Sequence, residues 1–144
     1  MAIKIGINGF GRIGRMVLRS IIENNRKDIE VVAINNRAKS EVSNFLLKHD
    51  TVHGKFEAKL NYSDQSLDIN GKKITMTHEA EISKIDWKKH KVDVVLECTG
   101  KFNTKEKSAQ HINSGAKKVL VSAPCKGAIN IIFGVNQKTL KNSD

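Results

Sequence analysis

Cysteine, proline and aromatic residues are scarce in this 144-residue sequence, which has two cysteines, one proline and 5% aromatic residues. Cys98 and Cys125 are too few and too far apart for a disulfide framework or a paired-cysteine zinc site. No apolar run reaches the roughly 18–20 residues that a membrane helix needs, and the N-terminus lacks a secretory signal pattern. We therefore expect a cytoplasmic protein that has no membrane contact.

Acidic residues are also under-represented, because 25 Lys and Arg against 15 Asp and Glu give a formal net charge of +10. Such an excess favours anionic partners. The lysines are scattered, however, and the stacking aromatics of nucleic-acid sites are few. We do not expect specific nucleic-acid binding, and a stand-alone nucleotide-binding or RNA-binding module is the alternative that charge supports. Residues 1–22 contain no acid and four bases: Lys4, Arg12, Arg15 and Arg19.

The N-terminal third of the sequence predicts a βαβ unit. Ile3, Ile5 and Ile7 alternate with other residues, as in a strand, and lead into a tight turn at residues 8–9. Apolar residues then recur at helical spacing over residues 12–24. Residues 30–35 are continuous and β-branched, which is typical of a buried parallel strand. Strand, glycine turn, helix and strand in this order form a βαβ unit.

The remaining elements extend this unit into a sheet. Residues 40–48 predict a helix that Ser40 caps, with Val42, Phe45 and Leu46 on one face. Alternation over residues 55–77, with Asn70-Gly71 as turn, predicts an antiparallel hairpin insertion. Further predicted elements are strands over 92–97, 117–122 and 130–135 and a helix over 103–114 that Gly115 ends. Together they predict an α/β fold, a Rossmann-type doubly wound parallel sheet with an antiparallel hairpin insertion.

A G-x-G-x-x-G motif lies between the first predicted strand and helix, the context in which it indicates a dinucleotide site. Gly9 permits a tight turn, Gly11 lets the backbone approach a pyrophosphate, and Gly14 lets the helix pack on the strand. N–H groups at the helix start then face the diphosphate. Arg12 is disfavoured at a helix start unless an anion lies nearby, which favours this interpretation. The alternative is a turn that only packs a helix.

Asn36 stands where an NAD site places the acid that binds the adenosine ribose, and Arg37 follows it. An Asn does not repel the 2′-phosphate of NADP, and the Arg could pair with it. An Asn amide can also bind a ribose hydroxyl, so NAD and NADP both remain open as cofactors.

Six blocks in order resemble the phosphorylating glyceraldehyde-3-phosphate dehydrogenase family over essentially the whole chain. They are INGFGRIGR (7–15), VVAIN (31–35), HDTVHGKF (49–56), ECTGKF (97–102), GAKKVLVSAP (115–124) and GVN (134–136). The resemblance implies that residues 1–144 form an NAD(P)-binding domain.

The resemblance also implies roles for single residues. It implies four groups of residues: those of the turn, with backbone contacts to the pyrophosphate; those at the adenosine ribose; those lining the adenine and nicotinamide-ribose side; and one near the nicotinamide end. In that order the implied cofactor-binding residues are Gly9, Phe10, Gly11, Arg12, Ile13 and Gly14; Asn36 and Arg37; Thr99, Gly100 and Phe102; and Ser122. The family's usual Asp at the ribose is replaced by Asn36, and residues 80–82 depart from the family at the adenine edge.

The activity that the resemblance implies is oxidation of glyceraldehyde 3-phosphate, with phosphate and NAD(P), to 1,3-bisphosphoglycerate in glycolysis, by a homotetramer. The family's nucleophile, a Cys in a Ser-Cys-Thr-Thr-Asn motif, does not occur in these 144 residues. We therefore expect the N-terminal cofactor domain of a longer enzyme, which binds cofactor but is inactive alone. The related erythrose-4-phosphate dehydrogenase is an alternative parent.

Some reactive side chains are expected to be structural. Cys125 has no base placed beside it by any motif, and Cys98 closes an apolar strand. His49 and His53 have the spacing of a helical metal pair, but the sequence between them does not favour a helix, so we expect no metal site. Glu97, at the end of an apolar strand, is expected to support the cofactor cleft rather than act as an acid or base.

Overall fold

Seven strands form one sheet in the structure, a computed structural model that describes residues 1–144. A separate two-stranded hairpin and two isolated 3₁₀ turns, Ile82–Lys84 and Gln137–Thr139, complete the fold. None of the helices has the length and hydrophobicity needed to cross a bilayer. In chain order the strands and helices are β1 (Ile3–Asn8), α1 (Arg12–Glu23), β2 (Ile29–Asn35), α2 (Ser40–Lys48), β3 (His49–Asp50), β4 (Gly54–Lys55), β5 (Leu60–Ser63), β6 (Ser66–Ile69), β7 (Lys72–Thr77), β8 (Val94–Glu97), α3 (Lys105–Ser108), α4 (Gln110–Asn113) and β9 (Lys118–Val121).

The central strands run parallel in the order β7, β2, β1, β8 and β9. The chain leaves β1 for β2 on one side of it, and later returns to β8 on the other side. The strand order therefore reverses between β1 and β8, which is where doubly wound sheets bind ligands. This topology confirms the predicted Rossmann-type fold.

The predicted hairpin insertion is also confirmed, and it extends the main sheet. β5 pairs with β6 and β6 with β7, both antiparallel, while β7 joins β2 in parallel. Asn70 and Gly71 both have left-handed backbone conformations, with φ of 53° and 81°, as a two-residue hairpin turn requires.

The two faces of the sheet have separate cores because successive residues of β1 point in opposite directions. Ile5 and Ile7 pack with Leu18 of α1 in the larger buried cluster. Gly6 faces the other way, where a β-carbon on it would lie 2.8 Å from the Trp87 ring and 3.1 Å from Val92. Gly6 is therefore needed for the close packing of Trp87 on the sheet.

Arg19 anchors the β3–β4 hairpin to α1, although an arginine is rarely buried. Its guanidinium donates to the carbonyl oxygens of Gly54 and His53 at 2.9 and 3.2 Å, and its Nε donates to Glu23 at 3.1 Å. It also lies 5.1 Å from the centre of the Phe56 ring. The hairpin is thereby held beside the first helix.

The prediction for α2 had correct bounds but the wrong cap and the wrong buried face. Lys39 precedes the helix, while Ser40 is inside it and its hydroxyl donates to the Asp64 carbonyl at 3.0 Å. Ser40, Ser43 and the fully buried Leu47 face inward, and both serine hydroxyls have hydrogen-bond partners there. The predicted apolar face is turned outward: Val42, Phe45 and Leu46 are 45%, 60% and 38% exposed.

In the C-terminal part of the chain, one predicted helix is divided in two and one predicted strand is absent. The helix expected over 103–114 is two short turns, α3 and α4, that meet at Ala109. The strand expected over 130–135 is absent, and Phe133 is 90% exposed. The Asn136 amide instead accepts from the Ile132 N–H at 2.6 Å and donates to the Asn130 carbonyl at 3.0 Å. These side-chain bonds replace strand pairing with turns.

We predict that Gly6→Ala destabilises the chain, because its β-carbon overlaps the Trp87 ring and approaches Val92, and both of these side chains are buried without space to move. Overpacking of this kind costs about 1–3 kcal/mol. Urea unfolding followed by circular dichroism measures the change. Gly11→Ala is the matched control, since a β-carbon there meets no atom within 4 Å. Equal stability of the two variants would contradict the prediction.

Candidate dinucleotide-binding site

The carboxyl ends of the parallel strands meet in one row. The last residue of β1, Asn8, is the register partner of both Asn35 in β2 and Glu97 in β8, and Asn35 is the partner of Thr77 in β7. The loops that follow these strands carry most of the site residues expected from the sequence. The fold therefore brings residues that are far apart in the chain to a single edge.

Two glycines of the G-x-G-x-x-G motif are required by packing. Gly9 has φ of 93°, and a β-carbon on it would lie 2.8 Å from the backbone nitrogen of Thr99. A β-carbon on Gly14 would lie 2.3 Å from the carbonyl oxygen of Gly9. The first turn of α1 is thus in direct contact with the end of β1, and the β8 loop covers the opposite side of Gly9.

Gly11 has neither of these reasons to be glycine. Its φ and ψ of −73° and −159° are open to any residue, and a β-carbon on it would meet nothing within 4 Å. Gly11 is also the N-cap of α1, which has no side-chain cap and no acid in its first turn. The N–H groups there lack intrahelical partners and carry the positive end of the helix dipole. A pyrophosphate fits this arrangement, because it needs such donors and close approach to the backbone.

The arginines of the N-terminal stretch are engaged by the protein itself. Arg12, half exposed, donates to the nearly buried Asp50 carboxylate at 3.1 and 3.4 Å. Arg15 donates to the Phe10 carbonyl at 3.1 Å and braces the turn. The anion that the sequence led us to expect beside Arg12 is therefore Asp50, so Arg12 is no argument for a bound ligand.

Asp50 is held as a carboxylate by the β3–β4 hairpin. The backbone N–H of His53 donates to it at 2.8 Å and that of Val52 at 3.0 Å, while the His53 ring lies 3.1 Å away. These hydrogen bonds, with the nearby Arg12 guanidinium, keep the pKa of Asp50 well below its ordinary value although desolvation opposes this. No three His, Cys, Asp or Glu side chains lie close enough together to hold a metal ion.

Asn36 lies against the glycine turn. Its Oδ1 accepts from the Phe10 N–H at 3.4 Å, and its Nδ2 donates to the Ser43 hydroxyl at 3.1 Å. The His78 ring bridges the carbonyl oxygens of Asn36 and Asp64, at 2.7 and 2.9 Å. The amide at the expected ribose position is therefore held by the glycine turn and by α2, while His78 holds the backbone carbonyl of the same residue.

The other expected residues are less uniformly placed. Arg37 and Ser122 are exposed, whereas the Phe10 ring is in the core and only its backbone borders the turn. Gly100 has φ of 72° with open space around it. The Phe102 ring packs edge-on against His111, with 6.4 Å between ring centres, on the side of the sheet opposite α1. Ile13, in the first turn of α1, is half exposed.

Glu97 lies fully buried below the turn without a cationic partner. Its carboxylate accepts from Asn8 Nδ2 at 2.6 Å, His111 Nε2 at 2.9 Å and the Thr99 N–H at 2.8 Å, and from the Thr99 hydroxyl. Burial on its own would raise the pKa of Glu97, but the hydrogen bonds from His111, Thr99 and Asn8 outweigh it and lower the pKa. The group is a buried carboxylate.

Sequence reasoning missed four residues that shape this site: Asn8, Asn35, Ser43 and Asp50. Asn8 and Asn35 each close a buried β-branched strand with an amide, which is a signal because buried amides need hydrogen-bond partners. The Asn35 amide donates to Asn8 at 2.8 Å. Ser43 and Asp50 gave no signal, because their partners are recognised only when the chain is folded.

Comparisons with known proteins agree with this geometry. Residues 3–105 match the family described as "Glyceraldehyde 3-phosphate dehydrogenase, NAD binding domain". The chain is 50% identical to a glyceraldehyde-3-phosphate dehydrogenase of Cereibacter sphaeroides, over 100% of this chain and 43% of the relative. It is 47% identical to that of Thermotoga maritima, over 96% and 42%, and 46% identical to that of Geobacillus stearothermophilus, over 95% and 41%.

The chain spans less than half the length of these curated relatives. The match to the family nevertheless covers most of its residues, including the whole glycine turn and the ends of β1, β2 and β8. The chain belongs to the glyceraldehyde-3-phosphate dehydrogenase family, in its NAD-binding domain.

Proposed function

We propose that residues 1–144 form the dinucleotide-binding domain of a phosphorylating glyceraldehyde-3-phosphate dehydrogenase. The observation that carries this proposal is the uncapped start of α1. Gly11 leaves open space there, although neither its backbone conformation nor the packing around it requires a glycine. In a family of NAD-binding domains, a pyrophosphate is the ligand that fits it.

The expected residues have distinct tasks in holding the cofactor. The N–H groups of Arg12 and Ile13 bind the pyrophosphate, and Asn36 binds the adenosine ribose. Thr99, Gly100 and Phe102 border the adenine and nicotinamide-ribose side, and Ser122 lies toward the nicotinamide end. The bound NAD supplies a hydride acceptor, while the protein supplies its orientation.

The parent enzyme is proposed to oxidise glyceraldehyde 3-phosphate with inorganic phosphate to 1,3-bisphosphoglycerate, as a cytoplasmic homotetramer in glycolysis. Two features of the chain support a cofactor-holding role without chemistry. Burial raises the pKa of the Cys98 thiol, which keeps it protonated and weakly nucleophilic. Cys125 is buried, and its N–H donates to Asn130 at 3.0 Å within a turn.

The ribose site is proposed to admit NADP as well as NAD. Asn36 is neutral, and its amide is already oriented by Phe10 and Ser43. Arg37 is exposed one residue further on, so it can reach a 2′-phosphate at this position.

We predict that Gly11→Ala separates cofactor binding from stability. The added methyl group occupies the space into which the pyrophosphate fits, so NAD affinity falls by about tenfold or more. The free energy of unfolding stays level or rises by up to about 1 kcal/mol, because the backbone conformation suits alanine. Calorimetric titration and urea unfolding measure the two quantities. Unchanged NAD affinity would refute the proposed pyrophosphate position.

We predict that Arg37→Ala weakens NADP binding and leaves NAD binding unchanged. A charge-assisted contact contributes about 1.5–3 kcal/mol, or roughly tenfold to a hundredfold in affinity. Lys39→Ala is the matched control, since Lys39 is an exposed cation two residues further on. Titrating each variant with both cofactors decides the question. A clear NAD preference that Arg37→Ala does not alter would end the NADP proposal.

We predict that the 144-residue chain binds NAD but forms no NADH from glyceraldehyde 3-phosphate and phosphate. Absorbance reports NADH, and a binding titration on the same sample shows that cofactor is bound. Turnover that thiol alkylation abolishes would place a nucleophile among these residues and contradict the prediction.

A further inference from the structure

A row of buried polar side chains, connected by hydrogen bonds, lies beneath the glycine turn and has two arms that meet at Glu97. Along the first arm, from Trp87 to Glu97, the direction of donation is fixed. The indole Nε1 can only donate, and it does so to His111 Nδ1 at 2.9 Å. Nδ1 of His111 is therefore unprotonated, and Nε2 carries the hydrogen that is donated to Glu97 at 2.9 Å. Both bonds of this arm run toward the carboxylate.

The second arm reaches the same carboxylate from the other end of the row. The hydroxyl of Thr77 and the N–H of Glu79 donate to Asn35 Oδ1, at 2.8 and 2.9 Å. Asn35 Nδ2 donates to Asn8 Oδ1 at 2.8 Å, and Asn8 Nδ2 donates to Glu97 at 2.6 Å. Every link again runs toward Glu97.

Donors at both outer ends impose a requirement on the middle of the row. His111 and the two asparagines each accept a hydrogen bond on one side and donate one on the other, so the direction of donation is the same at every bond of an arm. Somewhere between the ends one group must accept from both sides and donate to neither. Only an ionised carboxylate does this with two oxygens, and Glu97 occupies that place.

The row is mechanically connected to the glycine turn. Asn8 directly precedes Gly9, whose N–H donates to the Asn35 carbonyl at 2.8 Å. On the other side, Gly9 touches Thr99, whose N–H and hydroxyl are both held by Glu97. The spacing between the turn and the β8 loop is thus set by the bonds that the carboxylate accepts.

We propose that Glu97 is a positioning residue for the dinucleotide, fixing the turn at Gly9 against the Thr99 loop as the one group on which both hydrogen-bonded arms converge. This inference rests on the proposed function of the site. Glu97 acts through Asn8 and Thr99, and no contact between Glu97 and the cofactor is involved.

Glu97→Gln keeps the shape of the side chain but replaces one of its two acceptor oxygens with a donor. The amide offers one acceptor atom, so its NH₂ group faces donors that cannot reverse. Turning Asn8 over to compensate would set its NH₂ against that of Asn35, and the mismatch would move to the next pair. We expect the Thr99 loop to shift and NAD to bind at least about tenfold more weakly.

Asp93→Asn is the matched control at the amino end of the same strand. Asp93 accepts from the Lys4 N–H at 2.9 Å and pairs with Lys117 at 2.7 Å, so its loss also destabilises the chain. Calorimetric titration with NAD and urea unfolding are measured for both variants. We expect weakened NAD binding in Glu97→Gln alone. Weakened binding in both variants would mean that general destabilisation is the cause, and it would overturn the proposal.

Moving the carboxylate from position 97 to position 8 tests the direction of the hydrogen bonds directly. This experiment also keeps the proposal testable if Glu97→Gln does not fold. Asn8→Asp alone sets two carboxylates in contact and is expected to be the more damaging change. In the double variant Asn8→Asp/Glu97→Gln the acceptor-only group moves one place. There it can accept from Asn35, from the new amide at position 97 and from His111, whose Nε2 is 3.5 Å from the Asn8 amide. Recovery of NAD binding and stability above both single variants is expected, and no recovery contradicts the inference.

A pH profile separates the carboxylate from a neutral packing group. The folded pKa of Glu97 is lowered, so its ionisation stabilises the fold fully above the unfolded pKa of about 4.3 and this gain is lost as pH falls through the folded pKa. The stability advantage over Glu97→Gln should shrink in that window.

If the unaltered chain bound no NAD, the proposed function would fail, whereas equal NAD binding by the unaltered chain and Glu97→Gln would refute this inference alone.

Discussion

The contact between the start of α1 and the end of β1 determines where everything else at this edge can lie. Gly14 and the Gly9 carbonyl are so close that no side chain fits between them. This approach aims the first free N–H groups of α1 at the edge where β2 and β8 also end. The open space at Gly11 lies between these two tightly packed glycines of the motif.

The fold was predictable where local pattern and tertiary packing agree. The βαβ unit, the Asn70-Gly71 hairpin and the strand ending at Glu97 follow from periodicity and turn chemistry, which act within a few residues. Prediction was wrong where side-chain hydrogen bonds decide instead. Asn136 folds the apolar residues 130–135 into turns, and the hydrogen-bonded serines of α2 share its inward face with Leu47, so that the predicted apolar stripe points outward.

The site was predictable as far as its backbone part. Spacing alone identifies the three glycines, because the motif follows a strand and opens a helix, a context that the sequence itself shows. The supporting side chains could not be paired from sequence: Asn8 and Glu97 are 89 residues apart, and Arg12 and Asp50 are 38 apart. Charge was misleading for the same reason, since the acid-free N-terminal stretch meets its acids only in the folded state.

The way Arg19 holds the β3–β4 hairpin affects which substitutions the hairpin can accept. Its guanidinium contacts two backbone carbonyl oxygens, which every amino acid carries, and not the side chains of residues 53 and 54. A substitution at residue 53 therefore leaves both Arg19 bonds in place, so this attachment to α1 does not depend on the His53 side chain. Position 54 is confined to residues that tolerate its φ of 72°, and within that limit the side chains of the loop can change while the Arg19 bonds keep its path over the helix.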